Sequence, residues 1–168
     1  MASSIFLVAL LLVPVFSIAT VAYAQDGMRD RTSKGTLDIL LEQTWKDNSS
    51  ATFKVSFLNP GADTLHQHQD YDFRILKDGT EVFSAAKQTG QALIHNAEGT
   101  ITVPYTFHEN GDYTIQVYLA GTGIVPTIPT DEDSTFPITV TPEFPVGAIG
   151  AIAAVVTGAL VIAGRFKR

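Results

Sequence analysis

Apolar and polar residues alternate with a period of two along most of the chain between residues 36 and 141. Successive side chains of a β-strand point to opposite faces of a sheet, so each alternating run predicts a strand with one buried row and one solvent-facing row. Six or seven short strands of this kind, with no helical stretch between them, predict an all-β fold, an antiparallel β-sandwich. The predicted inward rows are Leu37, Ile39 and Leu41; Phe53, Val55 and Phe57; Tyr71, Phe73 and Ile75; Ile101, Val103, Tyr105 and Phe107; Tyr113, Ile115, Val117 and Leu119; and Phe136, Ile138 and Val140.

Turn-forming residues separate these predicted strands. The separating segments are Asn59-Pro60-Gly61, Lys77-Asp78-Gly79 and Glu109-Asn110-Gly111. Asp-Gly between two alternating runs predicts a tight hairpin that starts at Lys77 and ends at Thr80. Pro104 and Pro137 fall inside alternating runs, and because proline has no N–H to donate, they predict edge strands or bulges.

The segment from His108 to Val117 has a turn with glycine, then Tyr113, then an alternating strand. It resembles the penultimate strand of immunoglobulin-like and PKD-like domains, and the resemblance implies an immunoglobulin-like β-sandwich. The chain contains no cysteine. The intersheet disulfide of antibody domains is therefore absent, and an exported domain of this kind must be stabilised by its hydrophobic core.

The N-terminal segment, residues 1–24, predicts a signal peptide. An apolar run from Ile5 to Val15 precedes Ala22-Tyr23-Ala24, which is the small-x-small pattern that a signal peptidase recognises. No Lys or Arg lies ahead of the apolar run, so the positive charge there is the α-amine alone. The alternative interpretation is an uncleaved N-terminal anchor.

The C-terminal apolar segment, residues 146–164, predicts a transmembrane helix. Its 19 residues carry no charge, and at 1.5 Å per residue they reach about 28 Å, close to the hydrocarbon thickness of a bilayer. Three positive charges follow in residues 165–168, which predicts a cytoplasmic C-terminus. The chain is therefore expected in the cell membrane as a single-pass protein with its folded domain outside.

The predicted layout follows from these segments. It is a signal peptide (1–24), a flexible lead-in (25–35), a β-sandwich ectodomain (36–141), a Pro-rich juxtamembrane linker (142–145), a transmembrane helix (146–164) and a basic cytoplasmic tail (165–168). Three of the 11 Lys and Arg residues lie in the tail, which leaves 8 against 17 Asp and Glu outside it and a net charge of −9 there. So acidic a domain argues against nucleic acid as a partner.

The stretch Pro142-Glu143-Phe144-Pro145, followed by the apolar helix and a short basic tail, resembles a sorting region of archaeal surface proteins. It is similar to the PEFG-CTERM type of ammonia-oxidising archaea, with Pro145 in the place where that family has Gly. The resemblance covers residues 141–168 and implies surface display. It also implies a sorting enzyme, an archaeosortase, as a partner that replaces the helix with a lipid anchor.

Histidines supply the candidate metal ligands. His66 and His68 form an H-x-H pair, and in an extended chain residues i and i+2 face the same way, so both imidazoles can bind one ion. Extending the strand of Tyr71 back through Leu65 places Asp70 and Asp72 on the same polar face. The candidate metal ligands are His66, His68 and Asp70, completed by His95 or His108, and the candidate ions are Zn²⁺ or Cu²⁺. The alternative interpretation is an ordinary solvated face without a metal.

Other candidate sites have simpler explanations. Ser84-Ala85-Ala86-Lys87 matches S-x-x-K, but the companion motifs of penicillin-recognising enzymes are missing. Asp131-Glu132-Asp133 is typical of a solvated loop. Asn48-Ser49-Ser50 is a glycosylation sequon in a predicted turn, with Asn48 as the acceptor. Because the sequence also lacks the G-x-S-x-G, H-E-x-x-H and P-loop motifs, a non-enzymatic role is predicted.

Three functional hypotheses remain at this point. The first is a surface protein, anchored through membrane lipid, with a binding or cell-envelope role. The second is an extracytoplasmic copper- or zinc-binding module built on the H-x-H pair. The third is an accessory subunit whose helix packs against a larger membrane complex.

Overall fold

The computed structural model describes residues 27–124 and 127–141, which form nine strands and one short helix. The elements are β1 (Met28–Arg31), β2 (Asp38–Trp45), β3 (Ser50–Leu58), β4 (Gln69–Lys77), β5 (Thr80–Ser84), α1 (Ala85–Gln88), β6 (Ile94–Asn96), β7 (Thr100–Thr106), β8 (Gly111–Thr122) and β9 (Ile128–Val140). In the described ranges no helix is long and apolar enough to cross a bilayer. The predicted signal peptide, juxtamembrane linker with its Pro142-Glu143-Phe144 stretch, membrane helix and basic tail lie outside the described residues.

The strands form two antiparallel sheets. The first has the order β1-β2-β3-β7, and the second has the order β5-β4-β8-β9, with β6 pairing to the same edge of β4 as β5. Aromatic rings join the sheets: Phe53 lies 5.7 Å from Phe73, and Phe57 lies 5.4 Å from Tyr71, between ring centroids. The predicted all-β, antiparallel fold is confirmed.

The hydrophobic core follows the predicted inward rows. Every residue of the rows in β2, β3, β4, β8 and β9 is buried, together with Val103 and Phe107. Ile101 and Tyr105 are only partly buried, because β7 lies at the edge of its sheet. Trp45 packs at the rim of this core, 5.6 Å from the ring of Phe107.

The predicted hairpin and the two strand prolines are also confirmed. Lys77 pairs with Thr80, and Asp78 and Gly79 between them have φ angles of 50° and 75°. Positive φ at both central residues is the geometry of a type I′ turn, which suits the right-handed twist of the flanking strands. Pro104 lies in β7 and Pro137 in β9, and each of these strands is at an edge of its sheet.

The predicted flexible lead-in is wrong for residues 28–31, which form β1. This strand has the polar sequence MRDR, so periodicity does not reveal it. Its two arginines bind a carboxylate on the neighbouring strand: Arg29 Nη2 lies 3.0 Å and Arg31 Nε 2.8 Å from the oxygens of Asp38. The N–H of Gly61 donates a third hydrogen bond to the same carboxylate, at 2.9 Å.

These contacts predict an acid-sensitive step in stability. Hydrogen bonds from Arg31 and from the Gly61 N–H hold the pKa of Asp38 well below its ordinary value of 3.8. Since the folded state binds this proton less readily than the unfolded chain, Asp38 stabilises the fold above the unfolded pKa, and that stabilisation is lost as the pH falls below about 4. Urea denaturation between pH 6 and pH 2 should show a smaller loss of stability for Asp38→Asn than for the wild type. Identical pH profiles would contradict the assignment.

The Asp131-Glu132-Asp133 segment is not a solvated loop, because it lies within β9. Glu132 is only 2% exposed, and its Oε2 accepts hydrogen bonds from the N–H groups of Lys34 and Thr36. The N–H of Ser33 also donates to the carbonyl of Asp133 at 2.8 Å. The β1–β2 turn therefore covers the outer edge of β9 and binds Glu132.

The S-x-x-K match is a helix cap. Ser84 is the N-cap of α1, and its Oγ accepts a hydrogen bond from the N–H of Lys87 at 3.2 Å. The same hydroxyl donates to Asp72, which is 2% exposed beneath the helix. The prediction that Asp72 lies on a solvated face is therefore wrong, because α1 covers that part of the sheet.

Candidate functional site

Two of the four histidines meet at one end of the second sheet. His68 directly precedes β4, and His95 lies in β6. Their Nδ1 and Nε2 atoms, respectively, are 3.3 Å apart, and their ring planes are inclined by 32°. The β6 strand therefore brings together residues that are 27 positions apart in the sequence.

A carboxylate orients the second imidazole. Asp70 lies directly opposite His95 in the β4–β6 ladder, and its Oδ1 is 2.8 Å from His95 Nδ1. The other oxygen, Oδ2, accepts a hydrogen bond from the Thr127 hydroxyl at 2.7 Å. Since an ionised carboxylate only accepts hydrogen bonds, the neutral form of His95 carries its proton on Nδ1 and presents the lone pair of Nε2 to His68.

The electrostatics of Asp70 agree with this arrangement. Partial burial raises the pKa of the Asp70 carboxyl, but hydrogen bonds from Thr127 and His95 outweigh that effect and hold the pKa below its usual value. The group is therefore ionised at neutral pH. Both of its oxygens already have partners, so Asp70 positions His95 and is not itself placed as a metal ligand.

The backbone at His68 sets the direction of its side chain. His68 has a φ angle of 59°, which is uncommon for a residue with a side chain and costs about 1–3 kcal/mol. The N–H of Gly123 donates a 2.6 Å hydrogen bond to the carbonyl of His68 and holds this conformation. Gln69, the next residue, is fully buried, and Asp70 returns to the outer face beside His95.

The predicted H-x-H pair does not act as one ligand set. The turn at His68 interrupts the extended chain that the prediction requires. His66 Nδ1 instead lies 3.0 Å from the side-chain oxygen of Asn59, and the His66 N–H donates to the carbonyl of Phe57. Burial, with a smaller contribution from the nearby His68, lowers the pKa of His66. His66 is therefore held by Asn59 and Phe57 and is not part of the His68–His95 contact.

The prediction that His108 could complete the site is wrong. His108 is exposed in the turn before β8, whereas His68 contacts Gly123 just beyond the other end of that strand. The 12 residues of β8 separate the two ends by roughly 35 Å, at 3.3 Å per residue. Among the described residues, no group of three or more His, Asp or Glu side chains is placed to hold a metal ion.

An exposed apolar surface adjoins the two histidines, and periodicity does not predict it. Ile124 and Ile128, on either side of the β8–β9 hairpin tip, are 72% and 70% exposed. Thr127, beside Ile128, is the residue that holds Asp70. We call this end of the sandwich, with His68, His95, Ile124 and Ile128, the hairpin end.

The predicted glycosylation residue, Asn48, is exposed in the β2–β3 turn. Asp47 closes this turn, because its Oδ1 accepts hydrogen bonds from the N–H groups of Ser49 and Ser50. The side chain of Asn48 therefore points from a tight turn at the end of the sandwich opposite the hairpin end.

Comparison with known proteins assigns no relative to the chain. No protein-family model matches it, and no curated protein and no solved structure matches it at a significant level. Any functional conclusion consequently depends on the residues and on their geometry.

Proposed function

We propose that the chain is a membrane-anchored, extracytoplasmic β-sandwich protein with a non-enzymatic binding or cell-envelope role. In this proposal residues 1–24 export the chain, and residues 146–164 anchor it in the membrane. The Pro142-Glu143-Phe144 stretch marks the helix as a sorting signal for a surface protein. The acidic domain, with its net charge of −9, faces outward.

One geometric observation carries the binding role. The contact between His68 and His95 lies at the hairpin end, together with the exposed isoleucines. The last strand, β9, ends at Val140, which pairs with Gly111 at the opposite end of the sandwich. The 13 residues of β9 separate these ends by roughly 40 Å. A chain anchored after Val140 therefore presents the hairpin end away from the membrane, where a partner can reach it.

A resemblance to immunoglobulin-like sandwiches supports the same proposal. The order β1-β2-β3-β7 opposite β5-β4-β8-β9 resembles strands A-B-E opposite C′-C-F-G of that fold, with β1 as an additional strand beside A. The Tyr113 hydroxyl donates a 2.8 Å hydrogen bond to the carbonyl of Glu109, a contact that resembles the tyrosine corner at the start of strand F.

In immunoglobulin variable domains the B–C and F–G loops of one end bind the ligand. The corresponding loops of this chain are β3–β4, which ends at His68, and β8–β9, which carries Ile124. By this resemblance, the histidine contact lies at the end that corresponds to the binding end of variable domains.

Cell fractionation tests this proposal. We expect the full chain in the membrane fraction of an archaeal host, and we expect protease added to intact cells to degrade it. A variant that ends at Thr141 should be released into the medium, because it keeps the signal peptide and lacks the anchor. An antibody against the β-sandwich measures both forms, and a cytoplasmic protein serves as the protected control.

Two results would contradict the proposal. A full chain that resists protease in intact cells would refute its surface location. A hydrolytic or redox activity that disappears on a single polar substitution would refute its non-enzymatic role.

A further inference from the structure

We propose that His68 Nδ1 and His95 Nε2 together bind one Zn²⁺ ion at the hairpin end, with Asp70 as a positioning residue. The proposal rests on the binding role proposed above and names the ligand of that end of the domain. Water molecules, or a donor from a bound partner, complete the coordination.

The separation of the two nitrogens carries this inference. Two nitrogens bound to one tetrahedral ion at about 2.0–2.1 Å lie about 3.3 Å apart, whereas neighbouring nitrogens on a square-planar ion lie about 2.9 Å apart. The observed distance from His68 Nδ1 to His95 Nε2 is 3.3 Å. The pair therefore has the spacing of two ligands on a tetrahedral Zn²⁺ ion.

The hydrogen bond from His95 to Asp70 supplies the second argument. A histidine that binds a metal usually donates its other N–H to a carboxylate, which fixes its tautomer and raises its basicity. Asp70 accepts from His95 Nδ1 at 2.8 Å, and Thr127 fixes Asp70 in turn. The free Nε2 lone pair thus points at the position between the two rings.

Access and protonation are also compatible with a bound ion. The side chain of His95 is 38% exposed, so an ion can approach from solvent. In the metal-free chain His68 donates its Nδ1 proton to His95 Nε2. When Zn²⁺ binds beside the line that joins the two nitrogens, the His68 proton moves to Nε2, and both ring nitrogens that face the ion are unprotonated.

Two ligands from the chain leave two tetrahedral positions open. A structural zinc site has four protein ligands, and a catalytic site keeps one open position. The hairpin end also exposes the apolar side chains of Ile124 and Ile128. A partner that covers these side chains would be placed to supply a further ligand to the ion.

Calorimetric titration of the full chain in mild detergent, purified with a tag that contains no histidine, tests the proposal. We expect one Zn²⁺ per chain, no binding by His68→Ala or His95→Ala, and about 10-fold weaker binding by Asp70→Asn. His66→Ala and His108→Ala are matched controls and should bind as the wild type does. Circular dichroism and thermal melting check that each variant is folded.

Co²⁺ provides a second measurement, because tetrahedral Co²⁺ absorbs visible light far more strongly than octahedral Co²⁺. The intense bands should appear in the wild type and be absent from His95→Ala. A wild type that binds no more Zn²⁺ than His95→Ala, or a loss of binding in His66→Ala, would overturn the site. Binding of Cu²⁺ without Zn²⁺ would overturn the tetrahedral assignment. None of these results affects the surface location, which the fractionation experiment tests separately.

Discussion

Replacing Phe107 by alanine is expected to lower the free energy of unfolding by about 3–5 kcal/mol, the usual cost of removing a buried phenylalanine ring. Phe107 is 3% exposed and lies at the centre of an aromatic cluster. Its ring centroid is 4.8 Å from that of Tyr113, 4.9 Å from Tyr105 and 5.6 Å from Trp45. These residues come from both sheets, so the substitution leaves a cavity where the sheets meet.

Two further variants test whether the loss of stability comes from the ring contacts of Phe107 or would follow the removal of any phenylalanine ring. Phe83→Ala makes the same chemical change at a partly buried position with two ring contacts, and it should cost clearly less. Phe107→Leu keeps most of the apolar volume and should restore much of the lost stability. Urea denaturation measures all three free energies. Equal losses for Phe107→Ala and Phe83→Ala would show that the cluster has no special role.

The core residues could be predicted because side chains alternate between the two faces along the whole length of each strand. Once Phe53 and Phe73 are placed inward, every second neighbour must follow, whatever the relative position of the sheets. The hairpin at Asp78-Gly79 could be predicted equally well, because only a few residue types adopt positive φ at both central positions of a turn.

Other elements depend on contacts between distant residues, which local periodicity does not contain. The polar β1 strand pairs with β2, its Arg29 and Arg31 form ion pairs with Asp38, and it has no apolar row to reveal it. Glu132 is buried where two N–H groups of the β1–β2 turn, almost one hundred positions away in sequence, donate hydrogen bonds to its Oε2. A carboxylate that accepts such hydrogen bonds can be buried, although runs of acidic residues usually face solvent.

The sequence identifies the residues of the candidate site, but it does not show which of their side chains contact one another. His68, Asp70 and His95 were singled out by type, since imidazoles and carboxylates are the side chains that bind or orient metals. Their arrangement depends on β6, a three-residue strand that places His95 opposite Asp70. It also depends on the positive φ of His68, which separates that side chain from His66. Neither feature follows from spacing alone.

Asp72→Ala is expected to cost about 3 kcal/mol and to detach α1 from the sheet. The Asp72 carboxylate is 2% exposed and accepts hydrogen bonds from the Ser84 hydroxyl, the Ala86 N–H and Arg74 Nε. Removing a buried carboxylate that has several donors leaves those donors unpaired, which costs far more than the loss of an exposed charge. With four residues, α1 cannot persist without this contact.

Two observables distinguish this local effect from global destabilisation. Amide hydrogen exchange at Thr89 and Gln91, whose N–H groups donate to the carbonyl of Ala86, should become fast in Asp72→Ala under conditions where the core strands stay protected. Asp72→Asn keeps an acceptor for Ser84 and Ala86, so it should lose less stability and retain slow exchange at these two amides. Asp30→Ala, a change at an exposed aspartate of β1, is the control and should stay within about 0.5 kcal/mol of the wild type. Slow exchange at Thr89 and Gln91 in Asp72→Ala would mean that the helix is held by its packing on the sheet and not by the carboxylate.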